Sequence, residues 1–170
     1  MIHFKLSLFT LFALISFSSL DFTFACDDSK KIYKTCSDQT NLYEAAYDEA
    51  LRSKKLLLIT FGFEECPSCQ SLHQLISSKA FSSEFNENYL DIGIGMYNEG
   101  KIEFTGQLVF DAVSELESPG GLELKTYPYI VVVNPKTQKA VPFQAGSMSN
   151  SQIFKILNAI KNSYAYLFIK

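Results

Sequence analysis

Residues 56–72, Leu56-Leu57-Leu58-Ile59-Thr60-Phe61-Gly62-Phe63-Glu64-Glu65-Cys66-Pro67-Ser68-Cys69-Gln70-Ser71-Leu72, join an apolar run to two cysteines three positions apart. Leu56 to Phe61 is too short for a helix and is bounded by Gly62. Such a run suits a strand buried on both faces of a sheet. Pro67 stands where a first helical residue is favoured. Cys69, Leu72, Leu75 and Ile76 then mark the inward face of that helix. The stretch predicts a buried strand running straight into a helix, with Cys66 at the junction, where α/β sheets place their chemistry.

The flanking sequence supplies the other layers. Tyr43, Ala46, Tyr47, Ala50 and Leu51 have the spacing of an amphipathic helix. Thr40 or Asn41 is available as its cap, and Arg52, Lys54 and Lys55 form a cationic end. Phe81 to Asn86 reads as a short helix or turn, and Tyr89 to Ile94 as a second inner strand. Leu108, Val109, Ala112, Val113 and Leu116 have helical spacing that Pro119-Gly120-Gly121 ends. Tyr129 to Val133 is a strand, Asn134-Pro135-Lys136-Thr137 a turn, and Ala140 to Phe143 a further strand. Ile153, Ile156, Leu157 and Ile160 give a last helix after Gly146. This order predicts an α/β fold, a central mixed β-sheet flanked by helices on both faces.

A chain of 170 residues has room for one such domain with a real core. Its 47% hydrophobic content, with 15 Phe and 9 Tyr, excludes a disordered chain. A net charge of -3 with scattered basic residues offers no stripe for nucleic acid. Residues 1–25 carry Lys5, an apolar stretch from Leu6 to Leu20, and Thr23-Phe24-Ala25 as a cleavage site. They read as a secretory signal peptide, with an N-terminal membrane anchor as the alternative. Residues 26–39 are then a polar lead-in segment and 40–170 the domain. The mature protein is expected outside the cytoplasm, periplasmic or secreted, where disulfides persist.

Four cysteines allow three pairings, of which Cys26 with Cys36 and Cys66 with Cys69 is the local one. Cys26 and Cys36 then form a structural staple. At the start of a helix, free backbone N–H groups and the helix dipole stabilise a thiolate, which makes Cys66 the nucleophile. Cys69, one turn further in, is the resolving cysteine of a redox-active disulfide. Glu64 and Glu65 oppose the thiolate and lean the pair toward reducing or isomerising work. No separate cofactor and no metal is expected, although His73 on the same helix leaves a metal half-site as the rival reading.

Three stretches together are similar to the thioredoxin-like superfamily. "LLLITFGFEECPSCQSLHQL" resembles the family's central strand and active-site helix. "FSSEFNENYLDIGI" and "TYPYIVVVNPKTQKAVPFQAGSMSNSQIFKILNAI" resemble the following strand and the closing half. The resemblance, to domains of bacterial thiol-disulfide interchange proteins, covers roughly residues 41–161. It implies a thioredoxin-like fold, a cis Pro128 beside Cys66, and a Tyr127 backbone that pairs with incoming substrate. It also implies a thiol-disulfide oxidoreductase acting as a monomer on protein thiols or disulfides, with a membrane electron donor among its candidate partners. A thioredoxin-fold binding protein or metallochaperone is the alternative. Thr60 stands where thioredoxins carry a buried aspartate, Glu65 replaces the tryptophan before the first cysteine, and residues 97–125 exceed the usual link.

Overall fold

The computed structural model describes residues 31–168, with side chains through Ser163. The expected signal peptide, residues 1–25, lies outside the described residues, as does Cys26 and with it the expected Cys26–Cys36 pairing. The elements in chain order are α1 (Gln39–Ser53), β1 (Leu56–Gly62), α2 (Pro67–Ile76), α3 (Lys79–Phe85), β2 (Tyr89–Gly95), β3 (Tyr97–Asn98), β4 (Lys101–Ile102), α4 (Phe104–Ser114), β5 (Tyr129–Asn134), β6 (Lys139–Gln144) and α5 (Asn150–Phe168). No helix among the described residues is long and apolar enough to cross a membrane.

One four-stranded sheet has the order β2-β1-β5-β6. β1 runs parallel to β2, pairing Leu56 with Tyr89, and antiparallel to β5, pairing Thr60 with Ile130. Every residue of β1 is buried, as its unbroken apolar run requires. Alternate side chains serve opposite layers. Leu57, Ile59 and Phe61 join Val131 and Val133 against α1 and α4. Leu56 and Leu58 join Ile130 and Val132 against Leu72, Leu75, Phe81, Phe85 and Leu157 of α2, α3 and α5. Each fully buried side chain of this size contributes about 1.5–3 kcal/mol, so the two layers together fix where β1 ends.

Three expectations are corrected. β2 is an edge strand, not an inner one: it pairs only with β1 within the sheet, and Asp91 in its middle is exposed. The cap of α1 is Asp38, whose carboxylate accepts from Thr40 N–H at 3.0 Å. Thr40 and Asn41 instead donate their side chains to Asp38. On the inward face of α1, Ala46 and Ala50 are buried and Tyr43 and Tyr47 pack against the core as expected, but Leu51 is exposed and Gln39 is buried instead.

Within residues 97–125 the helical spacing corresponds to α4, with Val109 and Val113 buried and Leu108 exposed. Ahead of it β3 and β4 form a hairpin through Glu99 and Gly100, both at positive φ (50° and 76°). A two-residue turn with both central residues left-handed matches the twist of paired strands. Two-residue strands carry no periodicity and leave no local pattern to read.

Candidate functional site

β1 ends at Gly62, and its chain turns through Phe63, Glu64 and Glu65 into α2. Cys66 is the N-cap of α2, and its Sγ accepts from the Cys69 N–H at 3.2 Å. Pro67 is the first helical residue, as read from the sequence. A sulfur at this place faces the free N–H groups of the first turn and the positive end of the dipole, an arrangement that favours negative charge. Cys66 and Cys69 are joined in a disulfide, with Cα atoms 5.2 Å apart. Cys66 is 5% exposed and Cys69 0%, so the pair is unequal in the expected sense. Cys66 is more covered than an open helix start would suggest: it clusters with Tyr33 and Cys69, and Ile32, Phe63 and Tyr127 pack against that cluster.

The Tyr127–Pro128 peptide, at the start of β5, is cis. Ser68 connects this loop to the cysteine: its hydroxyl donates to the Tyr127 carbonyl at 3.2 Å and lies 3.3 Å from Cys66 Sγ. Gln144 of β6 holds the other flank. Its Oε1 accepts from Thr126 N–H at 3.1 Å and from the Thr126 hydroxyl at 2.8 Å, while its Nε2 donates to Glu123 C=O at 2.8 Å. Tyr127, Pro128 and Cys66 are thereby brought to one wall. Cys36 lies in the lead-in segment, where Lys31 Nζ approaches its Sγ at 3.5 Å.

Beside the disulfide three rings meet edge to face. Phe63 lies 5.7 Å from Tyr97 and 5.4 Å from Tyr127, and Tyr97 lies 5.9 Å from Tyr127, centroid to centroid. With Gly100, Glu65 and Glu99 they line a cavity of about 580 Å³. Tyr97 comes from the β3–β4 hairpin, so the unread part of the sequence builds one side of the site. The Tyr127 hydroxyl is pushed up to about 12, first by burial and then by the neighbouring Tyr97.

Neither glutamate simply confronts Cys66. Glu64 accepts the Tyr33 N–H at 2.7 Å and so anchors the lead-in segment, while exposed Glu65 stands at the rim of the aromatic cavity. Tyr33, Ser68, Tyr97 and Gln144 were not singled out from the sequence. An apolar Ile32-Tyr33 pair within an otherwise charged segment was the one available signal. His73 is exposed and 3.5 Å from the Ser77 hydroxyl. Among the described residues no three His, Cys, Asp or Glu side chains gather to hold a metal.

No protein-family description matches this chain, and no curated protein matches it. Among solved structures, a disulphide isomerase from Xylella fastidiosa Temecula1 is similar with a TM-score of 0.57 and 19% identity, over 75% of this chain and 95% of that one. A thioredoxin from Thermus thermophilus is similar with a TM-score of 0.50 and 18% identity, over 69% of this chain and 82% of that one. These likenesses, with the order and direction of the strands, give the chain the thioredoxin-like fold.

Proposed function

We propose that this protein is a thiol-disulfide oxidoreductase working outside the cytoplasm, with Cys66 as the attacking and Cys69 as the resolving residue. The observation that carries the reading is the Ser68 hydroxyl, 3.3 Å from Cys66 Sγ and bonded at 3.2 Å to the Tyr127 carbonyl. It couples the sulfur at the helix start to the backbone edge beside which an extended substrate segment would lie. A structural disulfide has no need of such an edge.

In the reducing direction the Cys66 thiolate attacks one sulfur of a substrate disulfide. The substrate S–S bond breaks, one substrate thiolate leaves, and a Cys66–substrate bond forms. Cys69 as thiolate then attacks Cys66 Sγ, releases the second substrate thiolate and closes the Cys66–Cys69 bond. Two electrons pass to the substrate, and the reverse sequence oxidises a dithiol. The substrate class is an exported protein with an apolar side chain near its cysteine, which the cavity of Phe63, Tyr97 and Tyr127 accepts. A membrane electron donor is the partner that would return the pair to its dithiol form, and the protein acts as a monomer.

The test compares the full chain with Cys66→Ser and Cys69→Ser in insulin reduction and in refolding of a scrambled disulfide protein. Cys66→Ser is expected to abolish both activities, and Cys69→Ser to accumulate covalent mixed disulfides. Full activity in Cys66→Ser would overturn the reading in favour of a binding protein.

A further inference from the structure

Tyr33 reaches the site from the lead-in segment and is 0% exposed. Its backbone is fixed, with its N–H donating to Glu64 Oε1 at 2.7 Å and its C=O accepting from Thr35 N–H at 2.9 Å. Its hydroxyl is buried without a hydrogen-bond partner. The place it occupies is specific. A Cβ added to Gly62 would lie 2.3 Å from Tyr33 Oη and 3.0 Å from Cys69 Sγ, so hydroxyl and sulfur converge on one small space at the end of β1. Only glycine at position 62 leaves room for both.

A buried hydroxyl without a partner disfavours the folded state, and phenylalanine would fill the same volume without that penalty. In this structure Cys69 is held in the disulfide, whose sulfur is a poor acceptor. When the disulfide opens, Cys69 becomes a thiolate, a strong acceptor with no exposure to water. We propose that Tyr33 is a catalytic hydrogen-bond donor to Cys69, its hydroxyl taking the Cys69 sulfur as partner whenever the Cys66–Cys69 bond is broken. The inference rests on the redox role proposed for that pair.

An incoming thiolate attacks Cys66 Sγ, the Cys66–Cys69 bond breaks, and its electron pair goes to Cys69 Sγ. Tyr33 O–H donates to that sulfur and keeps its own proton. The proton that neutralises the thiol comes from water. Tyr33 also lines a cavity of about 280 Å³ together with Thr60, His73 and Asp91, which gives water an approach on the Tyr33 side; the Thr60 hydroxyl is likewise buried without a partner. Burial, with the Glu64 charge adding to it, raises the Tyr33 hydroxyl above its ordinary range, so the phenol stays a donor at any working pH. The remaining titratable groups along the cavity are Lys31 and Lys34.

The test is Tyr33→Phe in the full chain, read by thermal unfolding, by the rate of disulfide reduction with dithiothreitol, and by equilibrium with glutathione. Thermal stability is expected to be unchanged or raised. The reduction rate is expected to fall about tenfold and the equilibrium to move about tenfold toward the disulfide, a potential about 30 mV more negative. A stable Tyr33→Phe with parental rate and equilibrium would overturn the proposal. If that variant fails to fold, a ring-fluorinated tyrosine at position 33, a stronger donor, decides: both readings must move the opposite way. Neither measurement uses a protein substrate. A parent that fails to reduce insulin therefore counts against the proposed function, while unchanged dithiothreitol kinetics count against Tyr33.

Discussion

The Ser68 hydroxyl donates to the Tyr127 carbonyl at 3.2 Å, so the helix that carries the disulfide is tied to the strand start that faces it. The same oxygen lies 3.3 Å from Cys66 Sγ and is free to turn to that sulfur when a substrate segment takes over the Tyr127 carbonyl. On the proposed reading, substrate docking and thiolate stabilisation share one hydroxyl. Ser68→Ala is expected to raise the Cys66 thiol pKa, because the thiolate loses a hydrogen-bond donor. The pH dependence of alkylation of the reduced protein measures it, and an unmoved profile would detach Ser68 from the chemistry.

Gly146 lies where β6 leads toward α5, and a Cβ there would stand 2.5 Å from the Tyr127 carbonyl oxygen. The obstacle is backbone, which cannot swing aside as a side chain can. Gly146→Ala is expected to displace the Tyr127 strand start, to cost about 1–3 kcal/mol of stability, and to lower kcat/KM for a protein substrate more than the rate with dithiothreitol. Equal losses in the two assays would mean that the displacement reaches the cysteines themselves.

How much of this was legible follows from which signals are local. β1, the start of α2 and β5 could be read because an unbroken apolar run, a proline after a cysteine and a β-branched run each identify an element by themselves. β2 reads as an inner strand because its apolar residues do not reveal how many neighbours it has. The β3–β4 hairpin was invisible, and with it Tyr97, since its turn is Glu99-Gly100 and its strands are two residues long. Tyr33 escaped because its burial is decided by Glu64 and Gly62, roughly thirty positions away in sequence.

Glu65 and Glu99 flank the apolar cavity beside the disulfide. Negative charge at its rim favours substrates with a lysine or arginine near the reacting cysteine. The double substitution Glu65→Gln with Glu99→Gln is expected to reduce the preference for a basic over an acidic model peptide by about three- to tenfold at low salt. The difference should vanish in high salt, since exposed charges are screened beyond roughly 10 Å at 0.1 M. A preference that survives both changes would place recognition elsewhere.

Burial pushes the Tyr43 hydroxyl up to about 12, with Tyr47 adding to it, and does the same to Tyr127; Tyr33 and Tyr89 are raised further. An unfolded tyrosine ionises near about 10. A group whose folded pKa lies above its unfolded value contributes stability that is intact below the unfolded value and is lost as pH climbs toward the folded one. Stability should therefore hold up to about pH 10 and decline between about 10 and 12. Tyrosinate absorbance followed alongside circular dichroism tests this: ionisation of the buried rings should coincide with unfolding rather than precede it.

Gln39 is the first residue of α1 and wholly buried, yet amide side chains are seldom found inside without partners. Its Nε2 donates to Gly95 C=O at 2.9 Å and its Oε1 accepts from Gly95 N–H at 2.6 Å. One side chain thus completes both backbone groups of the last residue of β2, at an edge where no further strand can do so. It also holds the point from which the chain leaves β2 toward Met96, whose N–H donates to Gly62 C=O at 2.8 Å, and on to Tyr97 of the aromatic cavity. Gln39→Leu keeps the volume but leaves the Gly95 N–H and C=O unsatisfied. A loss of about 2–4 kcal/mol is expected, one desolvation penalty for each orphaned group. Gln39→Glu should be no more stable than Gln39→Leu at neutral pH, because a wholly buried carboxylate would face the Gly95 C=O without donating to it, and should recover as pH falls and the protonated group can donate. Urea unfolding of the three proteins measures the order, and a Gln39→Leu variant as stable as the parent would show that water satisfies Gly95 instead.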